Sequence, residues 1–136
     1  MIKKIEHIGI AVKDLEHATK TYQALLNVAP YKTETVEREG VKTVFFECGD
    51  SKIELLGATR EDSPVGKYLS TQKEGIHHIA FFVDDLKAEM KRLQNEGFQL
   101  LSEEPKAGAD DKSIVFLHPK SNHGVLVELC EDQSQF

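Results

Sequence analysis

A stretch near the start of the chain, Ile5-Glu6-His7-Ile8-Gly9-Ile10-Ala11-Val12, returns in altered form as Ile76-His77-His78-Ile79-Ala80-Phe81-Phe82-Val83. The likeness runs on past these residues. Ile5 and Ile76, His7 and His78, Ile8 and Ile79, Val12 and Val83, Asp14 and Asp85, Leu15 and Leu86, Lys20 and Lys91, and Gln23 and Gln94 are all 71 positions apart. Near the end of each half, Lys52-Ile53-Glu54-Leu55-Leu56 parallels Leu126-Val127-Glu128-Leu129-Cys130 at an offset of 74, so three additional residues belong in a loop of the second half. Self-similarity at a fixed period marks a structural unit used more than once, and it restricts this chain to folds made of two like modules.

Each module reads as βαβββ. Lys4 to Val12 alternates, with Ile8, Ile10 and Val12 on one face and His7, Gly9 and Ala11 on the other. Asp14 is an N-cap for a helix over Leu15 to Leu26, whose Leu15, Ala18, Tyr22, Leu25 and Leu26 recur at helical spacing and should cover the greasy face of the first strand. Asn27 to Pro30 breaks the chain, and strands follow at Tyr31 to Arg38, Val41 to Glu47 and Lys52 to Leu56, with turns at Glu39-Gly40 and Gly49-Asp50. Ala58 to Lys67 is polar and contains Asp62-Ser63-Pro64, which suits a linker with a short helix near Val65 to Ser70. The second module repeats the order: a strand at Ile76 to Val83, and a helix at Asp85 to Glu96 with Leu86, Met90 and Leu93 inward and Gly97 as its stop. Strands then follow at Phe98 to Ser102, Ser113 to His118 and Gly124 to Cys130. The predicted fold is α+β, a single domain over residues 1–136 with modules at about 3–58 and 75–132 and a linker at 59–74. Its modules would form a curved mixed sheet with an internal cleft and the helices outside.

Composition narrows the function. The 136 residues are 40% hydrophobic and 29% charged, ordinary for a globular domain with one core, and no apolar run approaches the roughly 20 residues of a membrane span. Met1-Ile2-Lys3-Lys4 leads into a short strand and not into the apolar region of a signal peptide, so a cytoplasmic location is expected. The formal net charge of −6 argues against nucleic acid, which requires a basic stripe to displace counterions. An anionic small molecule remains compatible if a few lysines converge, with Lys106, Lys112 and Lys120 as candidates. Cys48 and Cys130 have no metal or redox spacing and read as two reduced thiols.

The chemistry lies on the faces turned away from the helices. His7 stands opposite Ile8 and Ile10, Glu54 opposite Ile53 and Leu55, His78 opposite Ile79 and Phe81, and Glu128 opposite Val127 and Leu129. One such residue alone is ordinary. Four at equivalent places of two repeats, two imidazoles and two carboxylates, make a metal site. A nitrogen and oxygen donor set without thiolate suits Co²⁺, Mn²⁺, Ni²⁺, Fe²⁺ or Zn²⁺, whereas Ca²⁺ takes an all-oxygen shell. His77 falls on the helix-facing side of its strand and is structural, His17 belongs to a helix surface, and His118 and His123 lie in a loop between strands.

Paired βαβββ modules with His, Glu, His and Glu at these places resemble the vicinal oxygen chelate superfamily of glyoxalase I, extradiol dioxygenases, fosfomycin-resistance proteins and acyl-CoA epimerases. Nearly the whole chain is covered. Glu6-His7-Ile8-Gly9-Ile10-Ala11-Val12, Asp62-Ser63-Pro64, Ser102-Glu103-Glu104-Pro105-Lys106 and Phe116-Leu117-His118-Pro119-Lys120 are similar to the branch that epimerises methylmalonyl-CoA, and the Ser-Glu-Glu-Pro-Lys and His-Pro-Lys segments discriminate it from glyoxalase. The resemblance implies a metal ion on His7, Glu54, His78 and Glu128, an acyl-CoA substrate, a homodimer, and substrate contacts from Lys106, Lys120, His118 and Ser63. It also implies two proton carriers. Glu128 matches one; where some relatives carry a glutamate as the other this chain has Thr43, and Glu54 is expected to take that role, with Glu47 a weaker candidate. The alternatives are a glyoxalase I acting on a hemithioacetal and a metal-free binding or resistance protein.

Overall fold

Parallel pairing of first and last strands is the shared plan of both halves. The computed structural model describes residues 1–133, which divide into two units: His7–His77, and residues 1–6 with those from His78 onward. The first half carries β1 (Ile2–Ala11), α1 (Leu15–Leu26), β2 (Lys32–Val36), β3 (Val41–Cys48), β4 (Ser51–Ala58) and α2 (Pro64–Thr71). The second carries β5 (Gly75–Val83), α3 (Leu86–Asn95), β6 (Lys106–Ala107), β7 (Lys112–Leu117) and β8 (Val127–Asp132). Strand order is β2-β3-β4-β1 in the one and β6-β7-β8-β5 in the other. Only the β1–β4 and β5–β8 pairs in these sequences are parallel. The α+β class and the βαβββ order of each module agree with the sequence reading.

The ladder reproduces the sequence offsets residue by residue. Gly9 pairs with Glu54 and Ala11 with Leu56, as Ala80 pairs with Glu128 and Phe82 with Cys130. Phe45 opposes Glu54 and Phe46 opposes Ile53, as Phe116 opposes Glu128 and Leu117 opposes Val127. The three extra residues lie between β7 and β8: Phe46 and Ile53 enclose 47–52, whereas Leu117 and Val127 enclose 118–126.

A parallel pair needs a crossover, and the crossover helix covers one face of the strands. In His7–His77, Asp14 accepts a hydrogen bond from the His17 amide and starts α1, whose Leu15, Ala18, Tyr22 and Leu26 pack on Ile10, Val12, Val44, Phe46, Ile53 and Leu55. Leu25, expected inward, is 69% exposed, because α1 rests on its sheet through a stripe too narrow to include it. In the other unit Asp85 caps α3, and Leu86, Met90 and Leu93 pack on Val83, Val115, Leu117 and Leu129. Full burial of such side chains contributes about 1.5–3 kcal/mol each. α3 ends as expected at Gly97 (φ 95°), with the Gly97 amide donating to the Gln94 carbonyl and Phe98 to Leu93, a Schellman closure that tucks Phe98 against the same core.

Several boundaries differ from expectation. Phe98 to Ser102 is not a strand; it pairs with β7 only through the bridge Leu100 to Leu117, because the Gln99 amide donates to the Ser121 hydroxyl and the Ser102 hydroxyl turns back to the Glu104 carbonyl. The pairing falls instead to Lys106–Ala107. β2 stops at Val36, where 37–39 wind into a 3₁₀ turn, and β8 starts at Val127, after a 3₁₀ turn at 119–122. Both cysteines are free thiols, Cys48 exposed and Cys130 buried. No helix among the described residues is long and apolar enough to cross a membrane.

Glu89 on α3 is a buried carboxylate, 6% exposed, with Oε1 2.7 Å from the Met1 amino group and Oε2 2.8 Å from the Arg92 guanidinium. Hydrogen bonding from the Met1 ammonium is the largest influence on it; burial opposes that, Arg92 reinforces it, and the carboxyl is held below its ordinary value of 4.5. Because the folded state binds the proton more weakly than the unfolded chain, the stabilisation is full above pH 4.5 and is lost as pH falls through the lowered folded value. Glu89→Gln is therefore expected to cost about 1–3 kcal/mol in urea denaturation at pH 7. The gap from the parent should close as both are titrated below the ordinary carboxylate range.

Candidate metal centre

Within His7–His77 the parallel register sets Glu54 beside Gly9, on the face that also bears His7. His7 Nδ1 and Glu54 Oε2 are 2.9 Å apart, and both side chains are 6% exposed. On its other side Glu54 is flanked by Phe45, which is fully buried. Gly9 has no side chain, so the strand position nearest the carboxylate stays open on this face.

The second unit builds the same arrangement. Glu128 lies beside Ala80 on β5 and Phe116 on β7, and its Oε1 is 3.5 Å from His78 Nε2. The His78 ring meets Phe116 edge-on, with centroids 5.9 Å apart and planes at 86°. Both side chains are 7% exposed. The two halves differ in one detail: His7 turns Nδ1 to its carboxylate and His78 turns Nε2.

This donor set fits a divalent ion. Each unit supplies one buried imidazole nitrogen and one buried carboxylate oxygen, 2.9 Å apart in His7–His77 and 3.5 Å apart in the other unit. Bringing a carboxylate out of water costs several kcal/mol unless it is compensated, and a cation among nitrogen and oxygen donors compensates it. Thiolate is not part of the set: the buried Cys130 donates its S–H to the Phe81 carbonyl at 3.6 Å. Mixed imidazole and carboxylate ligation suits the first-row transition ions and Zn²⁺.

The structure places the remaining candidates variously. Ser63 is 1% exposed and serves as the N-cap of α2, accepting from the Gly66 amide at 3.0 Å and donating to the Arg60 carbonyl at 2.8 Å. The turn before α2 is so tight that a Cβ on Gly66 would come within 2.6 Å of the carbonyl oxygens of Arg60 and Glu61. His118 caps the 3₁₀ turn at 119–122, its Nδ1 accepting from the Lys120 amide at 3.1 Å, which leaves the proton on Nε2. Lys120 and His123 are exposed, and Lys112 pairs with Asp132 at 3.0 Å. Lys106 is exposed but sets its Nζ 5.8 Å from the Phe116 ring centre. His77 packs edge-on against Tyr68 at 4.9 Å, and burial pushes its imidazole below the usual range, in keeping with a structural neutral ring. Thr43 is buried at 2% exposure and Glu47 is exposed at the end of β3. Glu6, buried at 2% exposure in β1, was not anticipated; a charged residue between Ile5 and His7 gives no periodic signal of burial.

The profile of the Glyoxalase/Bleomycin resistance protein/Dioxygenase superfamily matches residues 6–116. The chain is 40% identical over 127 residues to the human mitochondrial methylmalonyl-CoA epimerase, covering 93% of this chain and 72% of that protein. It is also 40% identical over 131 residues to the ethylmalonyl-CoA/methylmalonyl-CoA epimerase of Cereibacter sphaeroides, covering 95% and 98%. Among solved structures, a variant of the Streptomyces coelicolor methylmalonyl-CoA epimerase in complex with 2-nitronate-propionyl-CoA superposes with a TM-score of 0.92 at 38% identity, covering 98% of this chain and all of that one.

The cap geometry sets a test for Ser63. Ser63→Ala should lower stability by about 0.5–2 kcal/mol, read from the urea midpoint, while Ser63→Asp should restore most of the loss.

Proposed function

This chain belongs to the methylmalonyl-CoA epimerase family of the Glyoxalase/Bleomycin resistance protein/Dioxygenase superfamily, and on that premise we propose that it interconverts (R)- and (S)-methylmalonyl-CoA with one divalent ion held by His7, Glu54, His78 and Glu128. The observation that carries the proposal is the recurrence of a buried imidazole–carboxylate pair at the same ladder position of both modules. Two half-sets related by a repeat supply the four ligands expected of the resemblance.

Epimerisation removes a proton from the carbon between a thioester carbonyl and a carboxylate and returns one to the opposite face. When bound, a divalent ion supplies Lewis-acid stabilisation of the negative charge that develops on the substrate oxygens. The imidazoles of His7 and His78 are the nitrogen ligands. Glu128 moves the proton on one face of the carbon and Glu54 on the other, each carboxylate acting within hydrogen-bond reach. Thr43 leaves the second role to Glu54, because a hydroxyl does not ionise near neutral pH. Gly9 and Ala80, the small residues beside the two carboxylates, keep bulk away from the acyl group. Lys106 and Lys120 are the cations proposed for the CoA moiety, and a homodimer is the proposed assembly, measured by sedimentation.

Metal-loaded protein incubated with methylmalonyl-CoA in deuterated water should incorporate deuterium at the α-carbon, and chelation should abolish it. Glu54→Gln and Glu128→Gln should each slow exchange by about 10²–10⁴-fold while retaining more of the metal affinity than of the turnover. Unchanged exchange in Glu54→Gln with metal bound would remove that residue from proton transfer. Formation of lactoylglutathione from methylglyoxal and glutathione, without α-exchange, would replace the epimerase reading with a glyoxalase.

A further inference from the structure

β2 brings a second cation to the face that carries Glu54. Along this strand Lys32, Glu34 and Val36 are half-buried while Thr33 and Thr35 are exposed, so the lysine belongs to the protected side. Lys32 pairs with Phe45, and Phe45 pairs with Glu54, which sets the three in one row across β2, β3 and β4. The Lys32 Nζ lies 5.7 Å from the Phe45 ring centre, and its Glu34 neighbour holds it at 3.2 Å. The second unit has a counterpart. Lys106 sets its ammonium over Phe116, the residue equivalent to Phe45, and Phe116 is beside Glu128. Lys106 stands 74 residues after Lys32 and pairs in the ladder with Ile114, so its ammonium reaches the Phe116 ring from two positions along the strand. An ammonium therefore lies over the ring beside the carboxylate in each half, but only Lys32 shares a ladder row with its ring, in a chain of net charge −6.

We infer that Lys32 is a specificity-determining residue that binds the free carboxylate of the acyl group, so that the site selects thioesters of dicarboxylic acids over thioesters of neutral acyl groups. The inference rests on the epimerase reading for the identity of the thioester. Two strand spacings, about 10 Å, separate the Lys32 and Glu54 backbones. That is the scale of a short acyl group bound between them, whereas the phosphates of CoA lie at the end of a much longer arm. An ammonium on a buried aromatic face, partly dehydrated, binds a carboxylate more tightly than it would in open water. Glu34 keeps the lysine on this face, and the incoming carboxylate competes with it for the ammonium donors.

The test measures binding and not turnover. Malonyl-CoA and propionyl-CoA share the CoA moiety and differ in the carboxylate. Isothermal titration of each into Co²⁺-loaded protein should show Lys32→Met weakening malonyl-CoA by about ten- to hundredfold and leaving propionyl-CoA unchanged. Lys32→Arg should recover part of the loss, and Co²⁺ affinity should be the same in all three proteins, which excludes a folding defect. Equal weakening of both thioesters would assign Lys32 to the CoA phosphates and overturn the inference, as would no weakening of either. Deuterium exchange by the parent protein reports separately on the epimerase reading: selective loss of malonyl-CoA binding in a protein that does not exchange would uphold Lys32 and refute the reaction.

Discussion

Parallel pairing between the first and last strand of each module is the constraint from which the candidate site follows. Two parallel strands cannot be joined by a hairpin, so the chain has to leave the sheet and return, and the returning element covers one face. In each half that element is a helix seated on Ile10, Val12 and Leu55, or on Val83 and Leu129. The other face keeps what the strands bring to it. The register, Gly9 with Glu54 and Ala80 with Glu128, then puts the imidazole and the carboxylate of each half within 2.9 and 3.5 Å. A one-residue slip of β4 on β1 would turn Glu54 into the hydrophobic cluster under α1, so the apolar residues that hold the register also hold the chemistry.

The electrostatics are layered. His7, Glu54, His78 and Glu128 are all buried, and among the described residues no buried side-chain nitrogen or oxygen lacks a hydrogen-bond partner. Next to each carboxylate stands an aromatic ring, Phe45 or Phe116, and over each ring an ammonium. Carboxylate, ring and cation in sequence keep the carboxylates screened from water.

Much of this architecture was legible in the sequence because two periodicities agreed. Strand alternation put His7 and Glu54 on one face, and the 71 and 74 offsets assigned the same face to His78 and Glu128; the ladder follows those offsets pair for pair. Helix starts were equally readable, since Asp14, Asp85 and Ser63 cap where a short polar side chain precedes an apolar stripe. What escaped depends on contacts rather than pattern. Phe98 to Ser102 has strand composition, but its ends are taken by the Ser121 and Ser102 hydroxyls and only Leu100 bridges to β7. Leu25 fits the helical spacing of α1 and still faces water. Glu6 and Glu89 are charged residues that periodicity assigns to solvent; both are buried, Glu89 beside Met1 and Arg92, which no local rule selects together. Lys32 was hidden because a half-buried lysine on a strand gives no periodic signal, and only the strand register reveals which ring it covers.

The connection between β3 and β4 is a two-residue turn, Gly49-Asp50, whereas β7 and β8 are joined by residues 118–126, pinned by His118 and Ser121 to the backbone around Lys120 and Gln99. A tight turn fixes both length and twist, so the first half of the molecule has no slack for variation at this end. The longer connection does. Closing a loop costs free energy only logarithmically in its length, so gaining or losing a few residues there changes stability by a fraction of a kcal/mol and leaves both neighbouring strands in place. Duplicate modules that begin alike can thus diverge unequally, one conserved as a rigid frame and the other free to lengthen its rim for different ligands.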